Sequence, residues 1–181
     1  MEKLFYTTLR SRWGELLITS SSLGVSWLHF LDSKDPREAL EKMRLRSGAA
    51  ETVESSSVQH GVLEEIAAYD RGELVSFSVP LDLKGTEFQL ATWRELCRIP
   101  YGETRSYGDI ARSVRRPLAF RAVGMANHGN PVALIVPCHR VVQSDGSLGG
   151  YGGGLDLKRR LLGHEQRFKP ASQSLAMASS L

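Results

Sequence analysis

Ser106-Tyr107-Gly108-Asp109-Ile110-Ala111-Arg112-Ser113-Val114-Arg115-Arg116-Pro117-Leu118-Ala119-Phe120-Arg121-Ala122-Val123-Gly124-Met125-Ala126-Asn127 decides the fold class of this chain. Its first four residues open a short helix whose inward side is Ile110, Ala111 and Val114. Arg115-Arg116-Pro117 makes a turn, since proline cannot continue the preceding helix. A second short helix, about Leu118 to Asn127, carries Arg121 among the small residues Ala119, Ala122, Gly124 and Ala126. Two short helices around a tight turn, the second basic and small-faced, form the pattern of a helix-turn-helix.

Upstream, Thr86-Glu87-Phe88-Gln89 is a capping box, and Leu90, Trp93 and Cys97 then share one helical face, so Cys97 is expected to pack. Pro100-Tyr101-Gly102 breaks that helix. Earlier still the texture is strand-like. Leu4 to Leu9, Glu15 to Thr19 and Val25 to Phe30 read as a β-meander, broken at Trp13-Gly14 and Leu23-Gly24. Asp35-Pro36-Arg37-Glu38 opens a helix running to about Arg46. Residues 48–57 read as loop, about Val58 to Tyr69 as a helix stopped by Arg71-Gly72, and Phe77 to Leu81 as a return to the sheet edge.

Downstream, the apolar run Pro131-Val132-Ala133-Leu134-Ile135-Val136 reads as a buried strand ended by Pro137. Cys138 then stands at the lip of a sheet beside His139, and a thiol next to a histidine suggests a nucleophile. Gly149-Gly150-Tyr151-Gly152-Gly153-Gly154 lacks both the Gly-Lys-Ser/Thr ending and the dinucleotide fingerprint, so a nucleotide site is rejected. Lys158-Arg159-Arg160 reads as a solvated helix face, with phosphate contact as the alternative, and His164 as a surface residue.

The 181 residues suffice for one generous domain or two small ones. No apolar run reaches membrane-spanning length, and Met1-Glu2-Lys3 leads into a strand without a secretory segment, so no membrane role is expected. Two cysteines cannot build a disulfide framework, and a reducing compartment, cytoplasmic or nuclear, is expected. The net charge of +3 is unevenly spread. Residues 1–93 hold 10 Lys/Arg against 14 Asp/Glu, whereas residues 94–160 hold 11 against 5. That asymmetry points to a polyanion, most simply nucleic acid, or to a basic face without a ligand.

Ile99-Pro100-Tyr101-Gly102-Glu103-Thr104-Arg105-Ser106-Tyr107, Arg121-Ala122-Val123-Gly124, Gly129-Asn130-Pro131-Val132 and Pro137-Cys138-His139-Arg140-Val141 occur in order. Together they resemble the O6-alkylguanine-DNA alkyltransferases, also called methylated-DNA–protein-cysteine methyltransferases. The glycine-rich run and Lys158, Leu161, Leu162 and Glu165 continue the match, strongly over about residues 85–168. The resemblance implies an α/β (α+β) N-terminal domain with a small antiparallel sheet over 1–84. It implies a mostly helical domain with a (winged) helix-turn-helix over 85–169, and residues 170–181 read as a disordered tail. It also implies direct-reversal DNA repair. The protein flips O6-alkylguanine, chiefly O6-methylguanine with O4-methylthymine as a lesser substrate, from double-stranded DNA. Its cysteine then keeps the alkyl group, once per molecule, with no cofactor.

The same resemblance implies the roles. Cys138 is the acceptor, His139 its base through a bridging water, and Glu165 the acid that orients the imidazole. Tyr107 hydrogen-bonds the flipped base, and Asn130 knits the turn that holds the site. Val141, Tyr151 and Gly152 wall the substrate pocket; Gly152 stands where the family often has a serine. Arg121 is the finger that fills the space left by the base, with Ala122 and Gly124 admitting the helix to the minor groove. Arg94, Arg112, Arg115 and Arg116 are candidate phosphate contacts, and His128 caps the helix or touches phosphate. Some family members bind zinc in the N-terminal part; without a cysteine before Cys97 no metal site is expected here. A monomer is expected, with cooperative assembly on DNA open. Two rival readings are a lesion-recognition module without chemistry and a Cys-His hydrolase with Glu165 as third member.

Overall fold

Leu16, Leu17 and Ile18 are consecutive and have no exposed surface, so the strand that carries them is covered on both faces. The computed structural model describes residues 3–31, 35–55 and 60–170. That strand is β2 (Gly14–Ser20), paired antiparallel with β1 (Lys3–Ser11) and β3 (Val25–Phe30). Side chains alternate across a strand. Leu17 therefore joins Leu4, Met43 and Ala49 beneath helix α1 (Pro36–Ser47), and Leu16 and Ile18 join the main core.

The meander was legible, but the sheet has a fourth strand. Residues 51–54, expected to be loop, form β4 (Glu51–Glu54), parallel to β1 in the order β3-β2-β1-β4. Glu-Thr-Val-Glu looks like loop because an edge strand half-buries only Thr52 and Val53. Helix α2 (Val62–Arg71) follows; its expected beginning near Val58 lies outside the described residues. The return at 77–81 reduces to one bridge, Leu81 with Val25.

Helix α3 (Glu87–Leu96) starts at the Thr86 capping box. Trp93 and Leu96 carry its buried face, whereas Cys97 is exposed at the helix end, contrary to its expected packing. Trp93 Nε1 donates to the Ala126 carbonyl at 2.9 Å and ties α3 to the helix-turn-helix. That unit is β5 (Arg105–Ser106), α4 (Tyr107–Ser113) and α5 (Phe120–His128). Ser106 caps α4 and Asp109 answers it.

The run 131–136 is buried, as its composition implies, but it is not a strand. Val132 makes a single bridge to Leu28 of β3, and Leu134 takes a left-handed backbone with φ 75°. Turn bonds such as Val136 N–H to the Val132 carbonyl at 3.0 Å replace a ladder. A short apolar run signals burial, not geometry. Beyond it lie one 3-10 turn (Cys138–Arg140), β6 (Val141–Val142), parallel to β5, and α6 (Gly154–Arg167).

One apolar cluster joins both halves, from Leu16, Ile18 and Leu28 through Ile66 and Tyr69 to Trp93, Val123 and Leu161. The tail from 171 onward lies outside the described residues. Among the described residues no helix is long and apolar enough to cross a membrane.

Gly72 closes α2 in the left-handed region, φ 75°, and a Cβ there would stand 2.3 Å from the Phe168 ring after α6. Gly72→Ala meets backbone strain and a clash together and is expected to destabilise by about 1–3 kcal/mol, read by urea unfolding.

Candidate active site

The 3-10 turn sets Cys138 at the floor of a cavity of about 610 Å³ and buries His139 and Arg140 behind it. Asn130 holds the turn: its Nδ2 donates to the Val136 carbonyl at 2.7 Å and reaches Cys138 Sγ at 3.1 Å. Its Oδ1 accepts from Val132 N–H at 3.1 Å. One buried amide thereby satisfies a strandless loop and points a donor at the sulfur.

Behind the turn lies Glu165 of α6, fully buried. Its carboxylate accepts from His139 Nε2 at 2.8 Å, Tyr69 Oη at 2.9 Å and Gly102 N–H at 3.0 Å. Arg140 adds Nε at 2.9 Å and Nη2 at 3.0 Å. Burial alone would push this carboxyl up, but the His139 bond and the Arg140 guanidinium hold it far below the usual carboxylate range. Burial pushes the His139 imidazole down against the pull of Glu165. The charge partner of Glu165 is therefore Arg140, and His139 is neutral with its proton on Nε2. Nδ1, buried and without a protein partner, keeps its lone pair.

Burial pushes the Cys138 thiol up, opposed by the Asn130 amide and the Lys158 charge. Lys158 is the largest departure from expectation: it is fully buried, not on a solvated face. Its Nζ donates to the Val141 carbonyl at 2.6 Å, to the Leu148 carbonyl, and to Gly150 at 3.4 Å. It ties β6 to the glycine-rich wall. Burial brings its pKa down to about 8, with Cys138 pulling the other way. His164, expected at the surface, is also buried; its Nε2 donates to the Tyr69 carbonyl at 2.8 Å.

Tyr107, Arg121, Gly124, Tyr151 and Gly152 border the cavity with Cys138. Tyr107 lies close over Gly149, where a Cβ would stand 3.1 Å from its ring and φ is 63°. Burial raises the Tyr107 phenol, so it remains a donor. A Cβ at Gly152 would meet nothing within 4 Å, so packing does not demand glycine there. The Val141 side chain lies wholly in the core, and its carbonyl accepts from Lys158 Nζ. Arg121 is exposed, its guanidinium carbon 5.9 Å from the Phe120 ring centre. Ala122 is exposed beside it, whereas Ala126 points into the core. Arg94, Arg112, Arg115 and Arg116 are exposed and border no part of the cavity; Arg112 pairs with Asp109 at 2.5 Å. His128, also exposed, is the last residue of α5. Among the described residues no three His, Cys, Asp or Glu are grouped to hold a metal ion.

The sequence alone assigns no role to Tyr69 or Arg140 and sets Lys158 on a solvated face. Arg140 stands within the Pro-Cys-His-Arg motif, and Lys158 opens the run Lys158-Arg159-Arg160 between Leu157 and Leu161. Tyr69 had no local signal.

A family model, 6-O-methylguanine DNA methyltransferase, DNA binding domain, matches residues 87–167. The methylated-DNA–protein-cysteine methyltransferase of Methanosarcina barkeri is 41% identical over 163 residues, 90% of this chain and 98% of that protein. That of Mycolicibacterium paratuberculosis is 56% identical over 115 residues, 64% and 70% of the two chains. The crystal structure of Mycobacterium tuberculosis OGT in complex with DNA superimposes with a TM-score of 0.78 at 40% identity, covering 96% of this chain and 98% of that one.

Lys158 has a folded pKa of about 8 against an ordinary 10.5. Between those values the unfolded chain holds more protons, so this group's contribution to stability rises with pH and is lowest below about 8. The stability difference between wild type and Lys158→Met should therefore shift towards wild type from pH 8 to 10.5, measured by urea unfolding across that range.

Proposed function

The chain belongs to the methylated-DNA–protein-cysteine methyltransferase family, and from that membership we propose that it repairs DNA by moving an alkyl group from O6 of guanine to Cys138. The observation that carries the reading is the Cys138 thiol on the cavity floor, 3.1 Å from the Asn130 amide, with His139 bonded to Glu165 at 2.8 Å behind it.

The resting thiol is protonated, because burial raises it. His139 Nδ1 takes that proton through a bridging water, and Glu165 with Arg140 keeps the ring oriented. The sulfur lone pair forms the S–C bond as C–O6 breaks, and the bonding pair passes to the base. The Tyr107 phenol gives its proton to the departing guanine, which leaves neutral, and the proton held by His139 returns through water to the phenolate. The balance is one alkyl group exchanged for one proton. The thioether has no hydrolytic exit, so each molecule acts once, without a cofactor.

The partner is double-stranded DNA carrying an alkylated base, met by a monomer in a reducing compartment, cytoplasm or nucleus. Extruding a base costs a few kcal/mol, and Arg121 offsets part of that by filling its place. Ala122 and Gly124, on the accessible side of α5, admit the minor groove. Arg94, Arg112, Arg115 and Arg116 serve as phosphate contacts. Tyr151 and Gly152 wall the base pocket, and the space at Gly152 is open. Residues 85–169 form the domain that carries the reacting groups; residues 1–84 form the other and supply Tyr69 to Glu165.

Mixed with a duplex containing one O6-methylguanine, the intact protein should gain one CH2, ~14 Da, located on Cys138. Cys138→Ala should still bind that duplex and gain nothing. Lesion-selective binding without a mass gain in the wild type would favour a recognition module, and repeated release of product a hydrolase. Arg121→Ala should slow duplex repair ~10-fold or more while changing reaction with free O6-benzylguanine less than ~2-fold, because only the duplex must be opened. Equal losses on both would remove the finger role.

A further inference from the structure

Two asparagines stand around the cavities that Cys138 borders, and the fold hydrogen-bonds only one of them. Asn130 spends both ends of its amide on Val132, Val136 and Cys138. Asn127 spends neither: Nδ2 and Oδ1 are both shut off from solvent and have no hydrogen-bond partner. Asn127 lies near the end of α5 and borders the main cavity and a smaller one of about 40 Å³, and Cys138 borders both. An unpaired buried donor and acceptor on one side chain is costly, and folds seldom keep such a pair without a use. Because the amide has no partner in the resting fold, a side-chain rotation that turns it into the cavity breaks no existing bond.

We propose that Asn127 reads the edge of the extruded base, Nδ2 donating to N1 and Oδ1 accepting from the 2-amino group of O6-alkylguanine. This inference rests on the alkyl-transfer reading above. Alkylation at O6 removes the N1 proton, so the edge presents an acceptor at N1 beside a donor at the 2-amino group. A carboxamide offers the matching donor and acceptor in one plane. In the same register, unmodified guanine sets N1–H against Nδ2–H. O4-alkylthymine presents two acceptors, N3 and O2, and sets O2 against Oδ1. Asn127 is thus a specificity-determining residue that favours alkylated guanine over both.

The test is a cycle between the side chain and the 2-amino group. Single-turnover methyl transfer to Cys138 is measured for wild type and Asn127→Leu on duplexes carrying O6-methylguanine, O6-methylhypoxanthine, which lacks the 2-amino group, or O4-methylthymine. Wild type should prefer O6-methylguanine to O6-methylhypoxanthine ~5–10-fold, the worth of one hydrogen bond, and Asn127→Leu should reduce that ratio to within ~2-fold. The variant should also narrow the gap between O6-methylguanine and O4-methylthymine. Its thermal midpoint should equal or exceed that of wild type, since the substitution removes two unpaired buried atoms. An unchanged guanine-to-hypoxanthine ratio would overturn the inference and leave the alkyl-transfer reading intact. So would a uniform loss of rate with a lowered midpoint, which would make Asn127 structural. A wild type that transfers nothing to Cys138 would remove both.

Discussion

The buried carboxylate of Glu165 is the constraint around which the molecule is assembled. A lone ionised carboxylate in a protein interior is untenable, so every group that meets it is fixed by that need. Arg140 supplies the charge, and His139, Tyr69 and the Gly102 amide fill the remaining lone pairs. These groups come from α2, the loop after α3, the 3-10 turn and α6. Removing one partner from such a pair typically costs about 3–5 kcal/mol, so the network commits these segments to one arrangement. The orientation of His139 is a by-product of that commitment. With Nε2 given to Glu165, the lone pair on Nδ1 is what the imidazole has left to offer.

Cys138 and Lys158 show the opposite economy. Burial disfavours the charged form of each, thiolate and ammonium, while each charge favours the other. The ammonium nevertheless stays in place because three backbone carbonyls surround it. Those carbonyls belong to β6 and the glycine-rich loop, so one side chain both biases the thiol and holds the wall of the cavity above it. A surface lysine would be screened by water and could do neither.

Helix α5 divides its labour by face. Val123 and Ala126 enter the core, and Trp93 binds the Ala126 carbonyl from α3. Arg121 and Ala122 lie outside, Gly124 half-covered beside them, and Asn127 keeps its amide buried at the edge of the cavities that Cys138 borders. A helix only nine residues long can thereby reach the core, the cavity and the exposed surface at once.

Much of this was legible in the residues alone. The meander, the capping box at Thr86, the helix-turn-helix and the Cys138-His139 pair all rest on local rules: alternation, capping, proline breaks and adjacency. What failed was non-local. β4 hid in a polar segment because its partner lies over 40 residues away, and 131–136 read as a strand because burial and extended geometry look alike in an apolar run. The charge pattern placed Lys158 and His164 in water; only packing shows that carbonyls and aromatic rings enclose them. The sequence by itself determined which chemistry the chain carries, since a thiol, an imidazole and a carboxylate keep their reactivity wherever they stand. The tertiary structure decided which of those groups are charged, which are paired and which, like Asn127, are left unspent, because desolvation and hydrogen bonding depend on neighbours that the chain order does not specify.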